Sequence, residues 1–142
     1  MKTIDLFDPK ISYNSADDKN VLFLIDLVRQ GIKYNLFFNF VKQSPFSLSE
    51  WSVFLHISER TLQRYKNDKK TFDQTQSEKI LEIAMLYKKG IDVFGDSEKF
   101  NRWLETDNLA FGKIKPKSLL DSSFGINMLK DELTRIEYGV LA

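Results

Sequence analysis

The chain has 142 residues, 42% hydrophobic and 29% charged, with a formal net charge of +1, which is typical of one folded domain or two small ones. It has no cysteine, which excludes disulfides, thiolate metal sites and a cysteine nucleophile and agrees with a reducing compartment. No apolar run approaches the ~20 residues of a membrane span, and the acids and proline of the first nine residues are unlike a signal peptide, so we expect a cytoplasmic protein that does not bind membranes.

The first part of the chain predicts an irregular arm followed by two helices. Residues 1–18 contain turn-forming Asp, Asn and Pro but no sustained hydrophobic period. Apolar residues from about position 20 predict a helix that ends at Gly31. A second helix, about residues 32–43, has an apolar stripe and ends at Ser44-Pro45.

Two short helices follow, joined by a tight turn. Ser47 and Glu50 have the spacing of a capping box, which predicts a helix over about residues 47–55. His56 interrupts this helix at a point where a positive φ is often needed, and histidine tolerates that better than most residues. Ser58 is suited to cap the next helix, which we expect to end near Asn67.

The second half predicts three more helices. A strongly patterned helix over about residues 73–89 ends at Gly90 or Gly95. Asp96 or Ser97 then caps a helix that ends before residue 108, and residues 108–118 form a loop. A last helix over about residues 125–138 precedes Gly139. Apolar spacing predicts core positions at Phe94, Phe100, Trp103 and Leu104 in the third quarter of the chain, and at Leu129, Leu133 and Ile136 near its end.

Strand signals are nearly absent, so the sequence predicts an all-α protein. We place an arm at residues 1–18, a helical domain at 19–89 and a second, small helical domain at 90–142. Residues 58–70 hold five bases and two acids, a local net charge of +3, whereas residues 91–142 have a net charge of −2. This asymmetry hints at an anionic partner for the middle of the chain.

Two short helices with a basic second member predict a helix-turn-helix. The second helix of that motif enters the major groove of DNA, where arginine, glutamine and hydroxyl side chains can contact base edges and lysine suits phosphates. Leu62 and Tyr65 can face the core and leave the polar positions outside. The candidate DNA contacts are Ser58, Arg60, Thr61, Gln63, Arg64, Lys66, Lys69 and Lys70.

The spacing alone leaves a plainer alternative open. Arg60 and Arg64 can instead form ordinary surface ion pairs with Glu59 and Asp68. Catalysis has little support, because the acids of the second half lie at helix caps and first turns and no glycine-rich phosphate loop is present. The chain has one histidine and no cysteine, so we expect no metal, no cofactor, no catalytic residues and no enzyme activity.

Five short motifs, in order, resemble one known family. The segment Ile57–Arg64 resembles the IS-x-RTLQR signature of Xre-type antitoxins in the Xre/MbcA/ParS group. The other four are similar to that group's toxin-binding domain: Val93–Asp96, Trp103–Asn108, Pro116–Asp121 with Gly125, and Leu133–Gly139. Three positions depart from the family pattern: His56 stands in place of a glycine, Phe111 follows Ala110 where a leucine before glycine is usual, and Tyr138 stands in place of a histidine.

The resemblance implies the antitoxin of a type II toxin–antitoxin system. It implies an Xre-like helix-turn-helix domain, followed by a small helical domain that binds an NAD-degrading RES-domain toxin and masks its active site. It further implies a homodimer, a larger assembly with the toxin, and binding of the complex to its own promoter DNA. The family's terminal motif falls on the last helix, so the implied toxin contacts are Arg135, Glu137, Tyr138 and Gly139. The alternative left open is a helix-turn-helix regulator whose C-terminal half only dimerises or senses a ligand.

Overall fold

A computed structural model describes residues 11, 13 and 18–139, and the predicted all-α class is confirmed within them. Two isolated bridges are the nearest approach to a strand in this part of the chain. The α-helices are α1 (Asp18–Gln30), α2 (Tyr34–Gln43), α3 (Leu48–Leu55), α4 (Glu59–Asp68), α5 (Gln74–Phe94), α6 (Ser97–Glu105) and α7 (Ser123–Glu137). The predicted loop at 108–118 contains two short 3-10 helices, Leu109–Phe111 and Pro116–Leu119. Most of the predicted arm at 1–18 lies outside the described residues.

The chain forms two compact units that divide between Met85 and Leu86, inside α5. The domain limits drawn from the sequence, 19–89 and 90–142, stay a prediction. Of the two predicted ends of α5, Gly95 is the right one: the helix continues through Gly90 and stops at Phe94. Gly90 is needed inside the helix because a Cβ there would overlap the ring of Phe100.

An aromatic core fills the first unit. The buried ring of Phe37 lies 5.0 Å from Phe72 and 5.3 Å from Trp51, centroid to centroid, and both contacts are edge-on. Phe46 and Phe54 pack edge-on at 5.2 Å beside Trp51. Such contacts add to the free energy of burial because the positive ring edge faces the negative ring face. The core joins α2 and α3 to the segment between α4 and α5.

A buried serine ties the junction of α1 and α2 to the start of α5. The Ser77 hydroxyl accepts a hydrogen bond from the Ile32 amide at 2.8 Å and donates to the Phe72 carbonyl at 3.3 Å. Gly31, at φ 89°, passes so close to the Phe72 carbonyl that a Cβ would overlap it. These contacts satisfy backbone groups that burial would otherwise leave without partners.

The second unit packs α6 and α7 around a smaller core. Phe100 and Leu104 of α6 are buried as predicted, and Phe94 and Trp103 are half-buried in ring contact with Phe100. In α7, Ile126, Leu129 and Leu133 are buried, whereas Ile136 of the predicted stripe is 39% exposed. Gly125 lies against the Leu119 carbonyl, where a Cβ would overlap it. Across the described residues, no helix is long and apolar enough to span a bilayer.

Candidate nucleic-acid interface and C-terminal binding surface

The turn between α3 and α4 is set by a left-handed residue, as the sequence predicts. His56 has φ 57° and closes α3, and the following Ile57 amide donates to the Ser52 carbonyl at 3.0 Å. This is the bonding pattern of a helix end followed by a sharp change of direction. Ile57 is buried, which anchors the turn. The arrangement orients α4 as the second helix of a helix-turn-helix.

Helix α4 separates its apolar and basic residues cleanly. Leu62 is fully buried and Tyr65 packs its ring against Phe72 at 5.2 Å. Arg60 and Arg64 are exposed, and among the described residues neither forms an ion pair, with Glu59, Asp68 or any other acid. The plainer reading of these arginines as surface ion-pair partners is therefore wrong. Both guanidinium groups remain available to an anionic partner.

The two hydroxyl candidates are partly used within the protein. Ser58 caps α4: its Oγ accepts from the Thr61 amide at 3.0 Å and donates to Thr61 Oγ1 at 2.9 Å. Because Thr61 accepts this bond, its own hydroxyl proton remains able to donate. Gln63 is exposed between the two arginines on the same side of α4.

Three lysines in or near α4 lie over aromatic rings. Lys66 Nζ lies 5.9 Å from the centre of the Phe38 ring and Lys70 Nζ lies 5.9 Å from the Tyr65 ring. Lys42, from the end of α2, lies 5.3 Å from the centre of the same Phe38 ring. A ring face attracts a cation and restricts its side chain. Lys42 is a basic residue that the sequence analysis missed; its i,i+4 spacing to Phe38 was the available signal.

The described residues contain no group of three or more His, Asp or Glu placed to hold a metal ion. Two acids of the second half have local structural roles. Asp96 accepts from the Lys99 amide at 2.8 Å as the cap of α6, and Glu98 pairs with Arg102 one turn later. These positions follow the preference of carboxylates for helix N-termini.

The predicted toxin contacts at the end of α7 divide into paired and unpaired side chains. Glu137 bonds Lys89 of α5 at 3.3 Å, and Arg135 bonds Glu132 at 3.0 Å. Tyr138 is 75% exposed, and Gly139, at φ 68°, follows it. The pairing gives Glu137 a structural role in holding α7 to α5. Whether these four residues contact a partner stays a prediction.

An exposed apolar stripe continues from Tyr138 along α7. Phe124 is 88% exposed and Met128 is 48% exposed. Phe124, Met128, Asp131, Arg135 and Tyr138 recur at three- and four-residue intervals, so they share one side of the helix. The sequence analysis assigned no role to Phe124 or Met128. Their spacing, offset from the buried Leu129 and Leu133, was the signal that marks a second apolar face.

Comparison with known proteins matches the two halves separately. Residues 23–85 match the antitoxin Xre-like helix-turn-helix domain, and residues 89–139 match the antitoxin Xre/MbcA/ParS C-terminal toxin-binding domain. The chain is 25% identical over 120 residues to an antitoxin Xre of Yersinia enterocolitica, covering 84% of this chain and 81% of that protein. It is also 25% identical over 104 residues to an antitoxin Xre of Photorhabdus laumondii, covering 67% and 70% of the two chains.

A solved structure shares the fold. A chain in the crystal structure of the M. tuberculosis MbcT-MbcA toxin–antitoxin complex superposes with a TM-score of 0.58 at 13% identity. The match covers 77% of this chain and 96% of that chain. At this identity the likeness is one of fold.

Proposed function

The chain belongs to the Xre/MbcA/ParS antitoxins, and from that premise we propose that it neutralises a RES-domain, NAD-degrading toxin and represses its own operon. In this proposal it acts in the cytoplasm as a homodimer that assembles further with the toxin. The first unit binds promoter DNA and the second binds the toxin. The observation that carries the proposal is that each unit exposes a surface of different chemistry: the basic side of α4 in the first unit and the apolar stripe of α7 in the second.

The basic side of α4 supports the DNA-binding part. Arg60, Gln63 and Arg64 lie on one exposed side of the second helix of the motif, and the arginines have no internal ion pair among the described residues. Arginine recognises guanine through two parallel hydrogen bonds, and glutamine does the same with adenine. Lys66, Lys69 and Lys70 add the charge that phosphates attract. This set needs no rearrangement of the fold before it meets a groove.

The stripe of α7 supports the toxin-binding part. Phe124 and Met128 present apolar surface to solvent at the start of the helix, and Arg135 and Tyr138 continue the same side to its end. Exposed apolar groups that line up on one surface mark sites of protein association. An antitoxin that covers an enzyme's pocket acts by occlusion and needs no catalytic group of its own, so we assign none.

A promoter shift assay tests the DNA-binding part. The double variant Arg60→Ala with Arg64→Ala should lose the shift of the protein's own promoter fragment while its thermal unfolding stays close to that of the parent protein. Arg102→Ala is the control, because it removes an exposed arginine from the second unit. An unchanged shift in the double variant contradicts the assignment of α4 as the reading helix.

Co-expression with the product of the neighbouring gene tests the toxin-binding part. The parent protein should restore growth, and the double variant Phe124→Asp with Met128→Asp should not. Tyr138→Ala should weaken rescue in the same direction. Leu109→Asp is the matched control, since Leu109 is an exposed apolar residue of the same unit outside α7. Full rescue by the Phe124/Met128 variant contradicts the assignment, and a neighbour that is harmless alone contradicts the antitoxin function.

A further inference from the structure

Helix α2 has a polar side that the proposed DNA contacts do not use. Asn35, Asn39 and Lys42 recur at four- and three-residue intervals, so they share this side of the helix. The half-buried ring of Phe38 borders it. The helix contains one base, Lys42, and no acid. An anion that approaches this side therefore meets amide and ammonium donors and no carboxylate from α2.

Helix α2 runs antiparallel to the reading helix α4. Its first residue, Tyr34, donates its amide proton to the Lys70 carbonyl at 3.2 Å, just beyond the end of α4. One turn later in α2, Phe38 has the ammonium of Lys66 over its ring, one turn earlier in α4. Lys42 lies a further turn along α2. It therefore extends the line of lysines toward the turn of α4 that holds the candidate base-reading side chains.

A row of four aromatic rings lies between the two helices and carries the lysines. In order, the rings are Phe38, Tyr34, Phe72 and Tyr65, with neighbouring centroids 6.1, 6.4 and 5.2 Å apart. The two middle rings are buried, so the core fixes the row. Lys42 and Lys66 lie over the first ring and Lys70 over the last. The lysines of this side thus lie over rings that the core holds in place.

Lys42 and Lys66 bring two positive charges to one ring. Their Nζ atoms lie 5.3 and 5.9 Å from the centre of the Phe38 ring, although they come from different helices. Both side chains are exposed, and within the described part of the chain neither forms an ion pair or a hydrogen bond. Like charges held near one point repel each other. An anion that contacts both ammonium groups relieves this repulsion.

We propose that Lys42 and Lys66, positioned by Phe38, form a clamp for a phosphate of the DNA backbone, which makes α2 a third DNA-contacting helix beside the helix-turn-helix. The inference rests on the proposed promoter binding and adds an element to it. Lysine binds phosphate as a point charge, so the clamp needs no fixed hydrogen-bond geometry. Phosphate contacts fix the register of a protein on the duplex and carry no sequence information. The clamp therefore sets where α4 enters the groove, and the side chains of α4 read the bases there.

Salt titrations with two DNA fragments of equal length, the promoter and an unrelated sequence, test the clamp. Lys42→Gln should weaken binding to both fragments by the same factor, because both have the same phosphates. Each contact adds about 0.9 to the salt slope. Between about 50 and about 200 mM salt the parent should therefore lose roughly threefold to fourfold more affinity than the variant for each contact removed. Thermal unfolding should not change, because Lys42 is exposed.

Arg29→Gln is the matched control for Lys42→Gln. It removes one positive charge from an exposed position of the same unit, at the groove between α1 and α5. The variant therefore has the same net charge as Lys42→Gln but keeps the clamp. Its affinity for both fragments and its salt slope should stay close to those of the parent protein.

A second set of variants tests the positioning role of Phe38. Phe38→Leu keeps an apolar side chain but removes the ring face, and it should weaken binding to both fragments. Phe38→Tyr keeps the ring and should bind as the parent does. Phe38→Leu should cause no further loss when Lys42 and Lys66 are already glutamine, because no ammonium group is left to position. A further loss in that background contradicts action through the two lysines.

Three outcomes overturn the clamp and leave promoter binding intact. Lys42→Gln may keep the affinity and slope of the parent, which removes Lys42 from the interface. It may lose promoter binding alone, which makes Lys42 a base contact. Arg29→Gln may match it in every respect, which reduces the effect to net charge. A parent protein that binds neither fragment overturns the proposed DNA binding and the clamp together.

Discussion

Two non-glycine residues in the left-handed conformation close the two helices of the motif. His56 closes α3 at φ 57° and Lys69 closes α4 at φ 52°. Each is followed by an amide that reaches back five residues, from Ile57 to Ser52 and from Lys70 to Tyr65, both at 3.0 Å. Glycine adopts this conformation without the steric conflict that a Cβ creates. His56 and Lys69 both have a side chain in spite of this steric cost, which raises the question of what each side chain contributes.

Replacing Lys69 with glycine should separate stability from binding. Lys69→Gly should raise the free energy of unfolding by about 1 kcal/mol, because it relieves a left-handed residue, while it weakens promoter binding by removing a positive charge. Chemical denaturation and titration of promoter DNA measure the two effects. Lys66→Gly is the control: it removes the same charge from within α4, where glycine should cost about 1 kcal/mol. Equal stability changes in the two variants would contradict the conformational argument.

Buried tyrosines should make the protein unfold in alkali. Burial raises the pKa of Tyr34 and of Tyr87, and the Tyr34 hydroxyl is buried without a hydrogen-bond partner. Burial, with the Glu82 carboxylate second, raises the pKa of Tyr13. The unfolded chain ionises tyrosine near pH 10, whereas the folded state keeps these phenols neutral. The contribution of these tyrosines to the free energy of unfolding is therefore fully present below that pH and is lost as the pH rises above it.

Denaturation midpoints measured at about pH 8 and about pH 11 check this prediction, on either side of the tyrosine pKa. The midpoint should fall at the higher pH, and tyrosinate absorbance should rise together with unfolding. Tyr87→Phe should reduce the fall, because one raised pKa is removed. Ionisation of all the tyrosines in a chain that stays folded would contradict it.

At the scale of elements, side-chain caps set where the short helices begin. Ser47 and Glu50 form both bonds of a capping box, and Ser58, Asp96 and Ser122 each accept from an amide of their helix's first turn. The sequence predicted the first two caps and offered Asp96 with Ser97 as alternatives. It placed the start of α7 two residues late because Ser122 was not recognised as its cap.

The cap of α4 gives a test in which stability and DNA binding respond differently. Ser58→Ala should cost about 1 kcal/mol, since the Thr61 amide loses its acceptor. Ser58→Asp should keep the cap and the stability, because a carboxylate is also favourable at a helix N-terminus. It should nevertheless weaken promoter binding, because it brings a negative charge to the reading helix. Thermal unfolding and shift assays distinguish the two; undiminished binding by Ser58→Asp would place the N-terminus of α4 away from DNA.

At the scale of the whole molecule, the uneven charge predicts that salt weakens promoter binding strongly and toxin binding only slightly. The logarithm of the promoter-binding constant should fall linearly with the logarithm of the salt concentration. The slope should be roughly −0.9 for each phosphate that the protein neutralises. Lys70→Ala should lower that slope by about one per copy that makes the contact. Toxin binding through the apolar stripe of α7 should change far less over the same range. Equal slopes for the two partners would contradict the division of function between the units.

The sequence was most informative where a local rule decides the structure. The turn at His56, the cap at Ser58 and the inward positions of Leu62 and Phe100 follow from helix geometry within a few residues. It was least informative where two distant segments meet. The role of Gly90 depends on Phe100, the pairing of Glu137 depends on Lys89, and no local pattern states either contact.

The sequence by itself therefore determined the helical class, the helix-turn-helix and the order of the family motifs, because periodicity, caps and turn residues act over single turns of helix. Only the tertiary structure decided which apolar residues remain in water. Val21, Leu22 and Ile25 of α1 and Phe124 and Met128 of α7 have the spacing of core residues, yet each is exposed. A hydrophobic pattern states that a face must be covered; whether the chain's own core or a partner covers it depends on how the other helices pack.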